Sequence, residues 1–176
     1  YEAKVEDDAM LRTDPLSILV RWWAGIIAYL ARTPGRMIEE GRRMIALDPN
    51  HFLGHWTLGS ALVETGALSE AVSALVRADE LSGGAPFTTG FRAYACGLAG
   101  RRDDALRLLD RLGQMAAVTY VPPSAFAMGH VGLGDWDAAL GWLDKAIDAR
   151  DPIVMPMKTF PFLDPATVVE LNGVAL

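Results

Sequence analysis

The chain has 176 residues, of which 51% are hydrophobic and 22% are charged, and its formal net charge is −6. This composition supports a buried core and excludes an intrinsically disordered chain. The acidic balance argues against nucleic acid as a partner, because proteins that bind phosphate backbones present a basic face.

The sequence also predicts a cytoplasmic protein with no membrane segment. Cys96 is the only cysteine, which excludes a disulfide within the chain and favours a reducing compartment. Residues 1–4 open the chain without the apolar stretch of a signal peptide. The longest apolar run, residues 16–31, is interrupted by Arg21 and is too short for a membrane span, so it is expected to be a buried helix.

Residues 1–13 are predicted to form a single helix. The chain is expected to consist of two-helix repeats, and this helix would be the second helix of a repeat whose first helix is missing. Ala3 and Met10 lie seven residues apart and therefore share one face of this helix. Asp14 precedes Pro15, and the residue before a proline is displaced from the helical region. The chain is therefore expected to begin with a half-repeat that ends at this point.

Four helix pairs are predicted to follow, separated by helix start and stop signals. Pro34 fits the first turn of a helix, Pro49 follows the end of one, and Gly66 is a typical left-handed helix terminator. The predicted helices span residues 16–31, 34–48, 51–65, 69–81, 87–99, 102–112, 122–133 and 136–149. They group into pairs at residues 16–50, 51–85, 86–119 and 120–151.

The last segment, residues 152–176, breaks this pattern. Four prolines interrupt its apolar residues, at positions 152, 156, 161 and 165. Such a segment cannot form a long helix. It is predicted to fold over the end of the helix pairs as a cap, because terminal repeats must cover an open apolar face.

Small residues recur along the chain at a fixed interval of 34 residues. They cluster where two helices would cross closely, since a bulky side chain would hold the helices apart. The positions are Gly66, Gly100 and Gly134; Ala71, Ala105 and Ala139; and Gly25, Gly59, Ala93 and Ala127. A period of about 34 residues with two helices per unit resembles the tetratricopeptide repeat (TPR).

Several stretches resemble one subgroup of that family, the C-terminal TPR block of bacterial multidomain regulators. In that group the block follows a winged-helix, protein-kinase or nucleotide-cyclase domain. The stretches lie at residues 80–84, 98–105, 120–121, 132–135, 149–152 and 162–165. The resemblance covers about residues 14–165, and together with the repeat period it predicts a single TPR domain over residues 1–176. This domain is all-α, a right-handed superhelix of about four helix pairs with a leading half-repeat and a non-repeat C-terminal cap.

The first helix of each pair would form the concave face of such a superhelix, which is where the family binds its partners. The apolar and aromatic character of this face suits an apolar peptide, a partner helix or a second copy of the chain. The alternative is that some of these side chains are core residues or are covered. The candidate residues are Leu19, Trp22, Ile26, Tyr29, Leu53, Trp56, Ser60, Phe87, Tyr94 and Met128.

Residues with catalytic or metal-binding chemistry do not form a recognised set. His51 and His55 have a spacing that can bind zinc, but no third ligand is evident, so they are interpreted as a helix-start and a packing histidine. Cys96 has no accompanying base and is interpreted as a small buried hydrophobe, and His130 as a hydrogen-bonded core residue. Arg92 occupies a position where the repeat expects an apolar residue, and it either extends into the groove or pairs with a carboxylate.

We therefore predict a non-catalytic protein–protein interaction scaffold without a metal or another cofactor. Its partner is expected to be a protein or peptide bound on the apolar, aromatic face. The alternative is a structural, self-associating module, a homodimer formed through exposed ends of the repeat array, with no separate ligand.

Overall fold

The computed structural model describes residues 13–14 and 16–151 of the chain. These residues form eight α-helices and contain no β-strand, which confirms the predicted all-α fold. The predicted half-repeat at residues 1–13, apart from Thr13, and the predicted cap at residues 152–176 lie outside the described residues.

The eight helices agree closely with the helices predicted from the sequence. They are α1 Ile18–Leu30, α2 Pro34–Leu47, α3 Phe52–Glu64, α4 Leu68–Leu81, α5 Pro86–Leu98, α6 Arg102–Ala116, α7 Pro123–Gly132 and α8 Trp136–Asp148. The largest difference is at the end of α6, which the sequence placed at Leu112. Gly113 continues this helix instead of ending it.

The chain divides into two compact units, Tyr1–Gly83 and Gly84–Leu176. In the first unit α1 packs on α2, α2 on α3 and α3 on α4, and α1 also contacts α3. In the second unit α5 packs on both α6 and α7, and α7 packs on α6 and α8. Each unit therefore contains two of the predicted helix pairs, whereas the assignment of residues 1–176 to a single domain stays a prediction.

The turn after the first helix of each pair contains a residue whose backbone lies in the left-handed region. Gly66, Gly100 and Gly134 have φ angles of 74°, 71° and 69° at these three turns. Arg32 takes the equivalent position in the first pair, with a φ of 56°. A residue with a Cβ atom is strained in this conformation by roughly 1–2 kcal/mol, so the first turn differs energetically from the other three.

The alanines of the 34-residue register are buried at helix crossings, as predicted. Ala71, Ala105 and Ala139 are almost completely inaccessible to solvent. Ala71 faces the glycine ladder of its own helix pair, because a Cβ atom added at Gly59 would lie 3.2 Å from the Ala71 carbonyl oxygen. The small side chains therefore set how closely these helices approach.

Candidate partner-binding residues and a polar cavity

The accessible candidates of the first unit lie on α1 and α3. Leu19 is exposed, and Trp22, Ile26 and Leu53 are half-buried. The Trp22 ring lies beside the ring of Trp56, with 6.4 Å between their centroids. This contact brings candidate residues of the first and second helix pairs together.

Three other candidates of the first unit are core residues in the structure. Tyr29, Trp56 and Ser60 are buried. Trp56 is only 2% exposed, which agrees with the alternative that part of the aromatic face is core. Of these three, Trp56 contacts the half-buried Trp22 ring, and all three are nearly inaccessible to a partner.

The second unit shows the same division between accessible and buried candidates. Phe87 is half-buried, whereas Tyr94 and Met128 are buried. The rings of Phe87 and Phe91 meet edge to face with centroids 5.1 Å apart, and Phe91 meets Tyr94 in the same way at 6.5 Å. A Cβ atom added at Gly132 would lie 2.7 Å from the Cα atom of Tyr94, so α5 and α7 are too close for a groove at that point.

The structure adds two exposed apolar residues to the accessible part of α1. Leu16, which precedes the helix, and Trp23 are both exposed. Leu19 and Trp23 are four residues apart and therefore share one face of α1, whereas Leu16 lies before the extended N-cap residue Ser17. We call Leu16, Leu19 and Trp23 the α1 stripe. The sequence contained this spacing, but it did not show that the face stays accessible.

A small cavity with both apolar and charged lining residues lies in the first unit at the ends of α1 and α3. It has a volume of about 180 Å³ and is lined by Tyr29, Arg32, Pro34 and Glu64. The Tyr29 hydroxyl donates a hydrogen bond of 3.5 Å to Oε1 of Glu64. Burial raises the pKa of Glu64 to about 7, although the charge of Arg32 and the Tyr29 hydroxyl lower it. Tyr29 was a sequence candidate, whereas the role of Arg32 was not anticipated.

His51 and Cys96 have the structural roles predicted from the sequence, and His55 makes a hydrogen bond to the backbone. His51 caps α3, and its Nδ1 atom accepts a hydrogen bond from the backbone N–H of Leu53. Nε2 of His55 lies 2.9 Å from the carbonyl oxygen of Pro49. Cys96 is buried, and this burial raises the pKa of its thiol. Within the described residues, no three His, Cys, Asp or Glu side chains converge as they would around a metal ion.

His130 and Arg92 are both half-buried. Nδ1 of His130 lies 3.2 Å from Oδ2 of Asp135, so this histidine is hydrogen-bonded near the end of α7 rather than within the core. The charge of Arg92 acts on the Cys96 thiol of the same helix and lowers its pKa against the effect of burial.

In residues 13–14 and 16–151, no helix has both the length and the apolar character that crossing a membrane requires.

Comparisons with known proteins place the chain among TPR folds. No protein-family model matches the sequence, and neither does any curated protein. A solved structure described as TTC0263, a thermophilic TPR protein in Thermus thermophilus, matches with a TM-score of 0.65 and 22% identity. This match covers 95% of this chain and 86% of that one. The crystal structure of MamA matches with a TM-score of 0.54 and 20% identity, over 83% of this chain and 85% of that one.

These likenesses show the fold and not the function. The chain has a TPR-like, all-α helical-repeat fold, in agreement with the period of 34 residues. At this level of identity the binding partners of the two proteins cannot be transferred residue by residue, because one fold supports many functions.

Proposed function

We propose that the chain is a non-catalytic scaffold that binds a protein or peptide through apolar side chains on the first helices of its repeats. The observation that carries this proposal is the α1 stripe, which presents Leu19 and Trp23 on one helix face and the exposed Leu16 just before the helix. Exposed apolar surface of this kind is typical of interaction sites, and the TPR-like fold supports a scaffold in general terms.

The accessible candidates are proposed to contact the partner directly. These are Leu19, Trp22, Ile26 and Leu53 in the first unit and Phe87 in the second. The buried candidates, Tyr29, Trp56, Ser60, Tyr94 and Met128, are proposed to hold these side chains in place. An amphipathic helix with apolar anchors three and four residues apart is the partner that such a surface fits best. We further propose a cytoplasmic, bacterial protein, in line with the regulator-like stretches of the sequence.

A peptide selection tests this proposal. Peptides are first selected from a random library for binding to the protein. They are then titrated into the protein and into two variants, each of which replaces one exposed leucine by glutamate. Leu19→Glu places a charge in the α1 stripe, and Leu140→Glu places one on α8. The two leucines have matching exposures of 57% and 58%. Burying an unpaired charge is costly, so Leu19→Glu should weaken binding at least about tenfold. Equal effects of the two variants would contradict the proposed surface.

A homodimer is the second candidate function, and a separate observation favours it. α1 carries a single charged residue, Arg21, and this residue is paired with Glu40. Two copies of α1 can therefore meet without like charges facing each other, although the chain as a whole is acidic. A two-fold dimer hides the same patch on both chains.

Light scattering after size exclusion tests the dimer. A dimer has twice the chain mass of 19.0 kDa, and the combined change Leu19→Glu and Trp23→Glu should return it to the mass of one chain. A mass of one chain for the unchanged protein across a wide concentration range would exclude the dimer. It would leave the scaffold proposal intact, because the peptide titration measures that separately.

A further inference from the structure

The cavity beside Glu64 lies where two helix ends meet. Tyr29 lies one residue before the end of α1, and Glu64 is the last residue of α3. The C-terminal end of a helix carries partial negative charge from carbonyl groups that lack a helical partner. At these two ends several carbonyl groups accept capping hydrogen bonds, such as that of Leu62 from the N–H of Ala67. The Glu64 carboxyl group is the acidic side chain that lines the cavity.

The charge of Glu64 is only partly compensated within the cavity. Burial is the strongest influence on this carboxyl group and holds its pKa near 7. The charge of Arg32 and the hydrogen bond from Tyr29 act in the opposite direction but do not offset the burial. That hydrogen bond, at 3.5 Å, is longer than the usual range for two oxygen atoms and is therefore weak. A cation that entered the cavity would supply the missing compensation.

The shape and lining of the cavity restrict this cation to a small one. A volume of about 180 Å³ holds a short alkyl chain with a polar end group. The ring of Tyr29 and the ring of Pro34 supply apolar walls, and an aromatic ring also attracts a cation. The combination of apolar walls with a carboxylate at a helix end fits an alkyl chain that ends in an ammonium group.

We propose that this cavity binds a primary alkylammonium group, with the Glu64 carboxylate as its acceptor and Tyr29 and Pro34 along its alkyl chain. A lysine side chain of a partner and a free alkylamine share this chemistry. Assignment to a partner's lysine deepens the scaffold function and rests on it. Binding of a free amine does not depend on the scaffold function and is tested first.

Arg32 competes with such a ligand. It is an exposed cation that lines the cavity, and its backbone forms the left-handed turn after α1. Arg32→Gln removes the charge and keeps a long polar side chain, so at a pH where Glu64 is ionised in both proteins this variant should bind an ammonium ligand more tightly. A site for a carboxylate or for a zwitterion would instead lose affinity, because Arg32 would be one of its contacts. The sign of this effect therefore distinguishes the proposed ligand from an anionic one.

Titration of the ¹⁵N-labelled protein with n-butylammonium at pH 8 tests the site by NMR. The backbone signals of Tyr29, Arg32 and Glu64 should shift together with a single dissociation constant. Glu64→Gln keeps the shape of the side chain and should weaken binding at least about tenfold, because hydrogen bonds to charged groups are the strong ones. Glu70→Gln changes an exposed acid on α4 and is the matched control, with an affinity within about twofold of the parent.

Three results would overturn the proposal: no shifts at these positions, equal affinity of the Glu64→Gln variant, or weaker binding by Arg32→Gln. Amide spectra of each variant without ligand show that it is folded. A second titration with a blocked Gly-Lys-Gly peptide distinguishes the two sources of the ammonium group. Binding of the peptide as well as the amine supports a partner's lysine, and binding of the amine alone refutes that source and supports a free amine. If the peptide selection yields no peptide that binds the α1 stripe but the amine still binds, the scaffold function is overturned and this site is not.

Discussion

Arg21 of α1 and Glu40 of α2 form a buried ion pair that joins the first two helices. Nη1 of Arg21 lies 2.7 Å from Oε2 of Glu40. The second carboxylate oxygen, Oε1, lies 2.6 Å from Nη1 of Arg43. Glu40 is only 1% exposed, so its desolvated charge depends on the two guanidinium groups. Arg21 is the single charged residue of α1. Because it is paired with Glu40, the accessible face of α1 is apolar.

Replacing Glu40 by alanine is expected to destabilise the protein by about 3–5 kcal/mol, because the change removes the buried carboxylate that Arg21 and Arg43 both contact. Urea denaturation followed by circular dichroism measures the loss. Glu39→Ala is the control: its carboxylate is exposed and lies 3.8 Å from Arg43, so the loss should stay below about 1 kcal/mol. The double change Arg21→Met with Glu40→Met should cost less than Glu40→Ala. A larger cost for the double variant would contradict this account.

Two glycines of α2 allow a comparison within one helix. A Cβ atom at Gly41 would lie 2.8 Å from the backbone nitrogen of Leu58, whereas a Cβ atom at Gly35 has no neighbour within 4 Å. Gly41→Ala should therefore destabilise by about 1–3 kcal/mol through overpacking against α3. Gly35→Ala should be neutral or stabilise by up to about 1 kcal/mol, since alanine restricts the unfolded chain. Thermal melts of both variants test the crossing of α2 and α3, and melting temperatures shifted in the same direction would argue against it.

The alanine register of the second unit supplies another packing test. Ala105 is completely buried, and Ala116 near the other end of the same helix is exposed. Ala105→Leu should lower stability by about 1–3 kcal/mol, because the core has no room for three additional carbon atoms. Ala116→Leu should change stability by less than about 0.5 kcal/mol. A thermal melt of Ala105→Leu that matches the parent would mean that the 34-residue register does not mark close crossings.

Local signals explain why the helices could be predicted from the sequence. Pro34 starts α2, and Gly66 takes the left-handed conformation after α3 that few other residues adopt. The recurrence of small residues at an interval of 34 residues also indicated which helices form pairs. The end of α6 was missed because Gly113 was interpreted as a connector. In the structure it lies within an exposed helix end, where a glycine is tolerated.

The candidate site was less predictable because burial depends on neighbouring helices. Helical spacing placed Leu19 and Trp56 on equivalent faces, yet the first is exposed and the second is core. The period of a helix states which residues share a face and not what covers that face. The cavity was missed for a similar reason. Arg32 and Glu64 come from different helix pairs, and Arg32 stands where the other three pairs carry a glycine.

The pKa of Glu64 predicts a pH dependence of stability. Its value of about 7 in the folded chain lies above the ordinary value of 4.5 expected in the unfolded chain. The folded state therefore binds the proton more tightly than the unfolded state. The resulting stabilisation is complete below pH 4.5 and is lost as the pH rises through 7.

Denaturant unfolding of the parent and of Glu64→Gln between pH 4.5 and 8 measures this contribution. The free energy of unfolding of the parent should fall by about 2 kcal/mol relative to the variant over this range. That is less than the full pKa shift would give, because the half-buried carboxyl group is partly screened by solvent. The glutamine cannot ionise, so the variant should be the more stable protein at pH 8. Glu70→Gln, at an exposed position, should keep the pH dependence of the parent. Parallel curves for the parent and Glu64→Gln would show that Glu64 titrates at the same pH in the folded and unfolded chains.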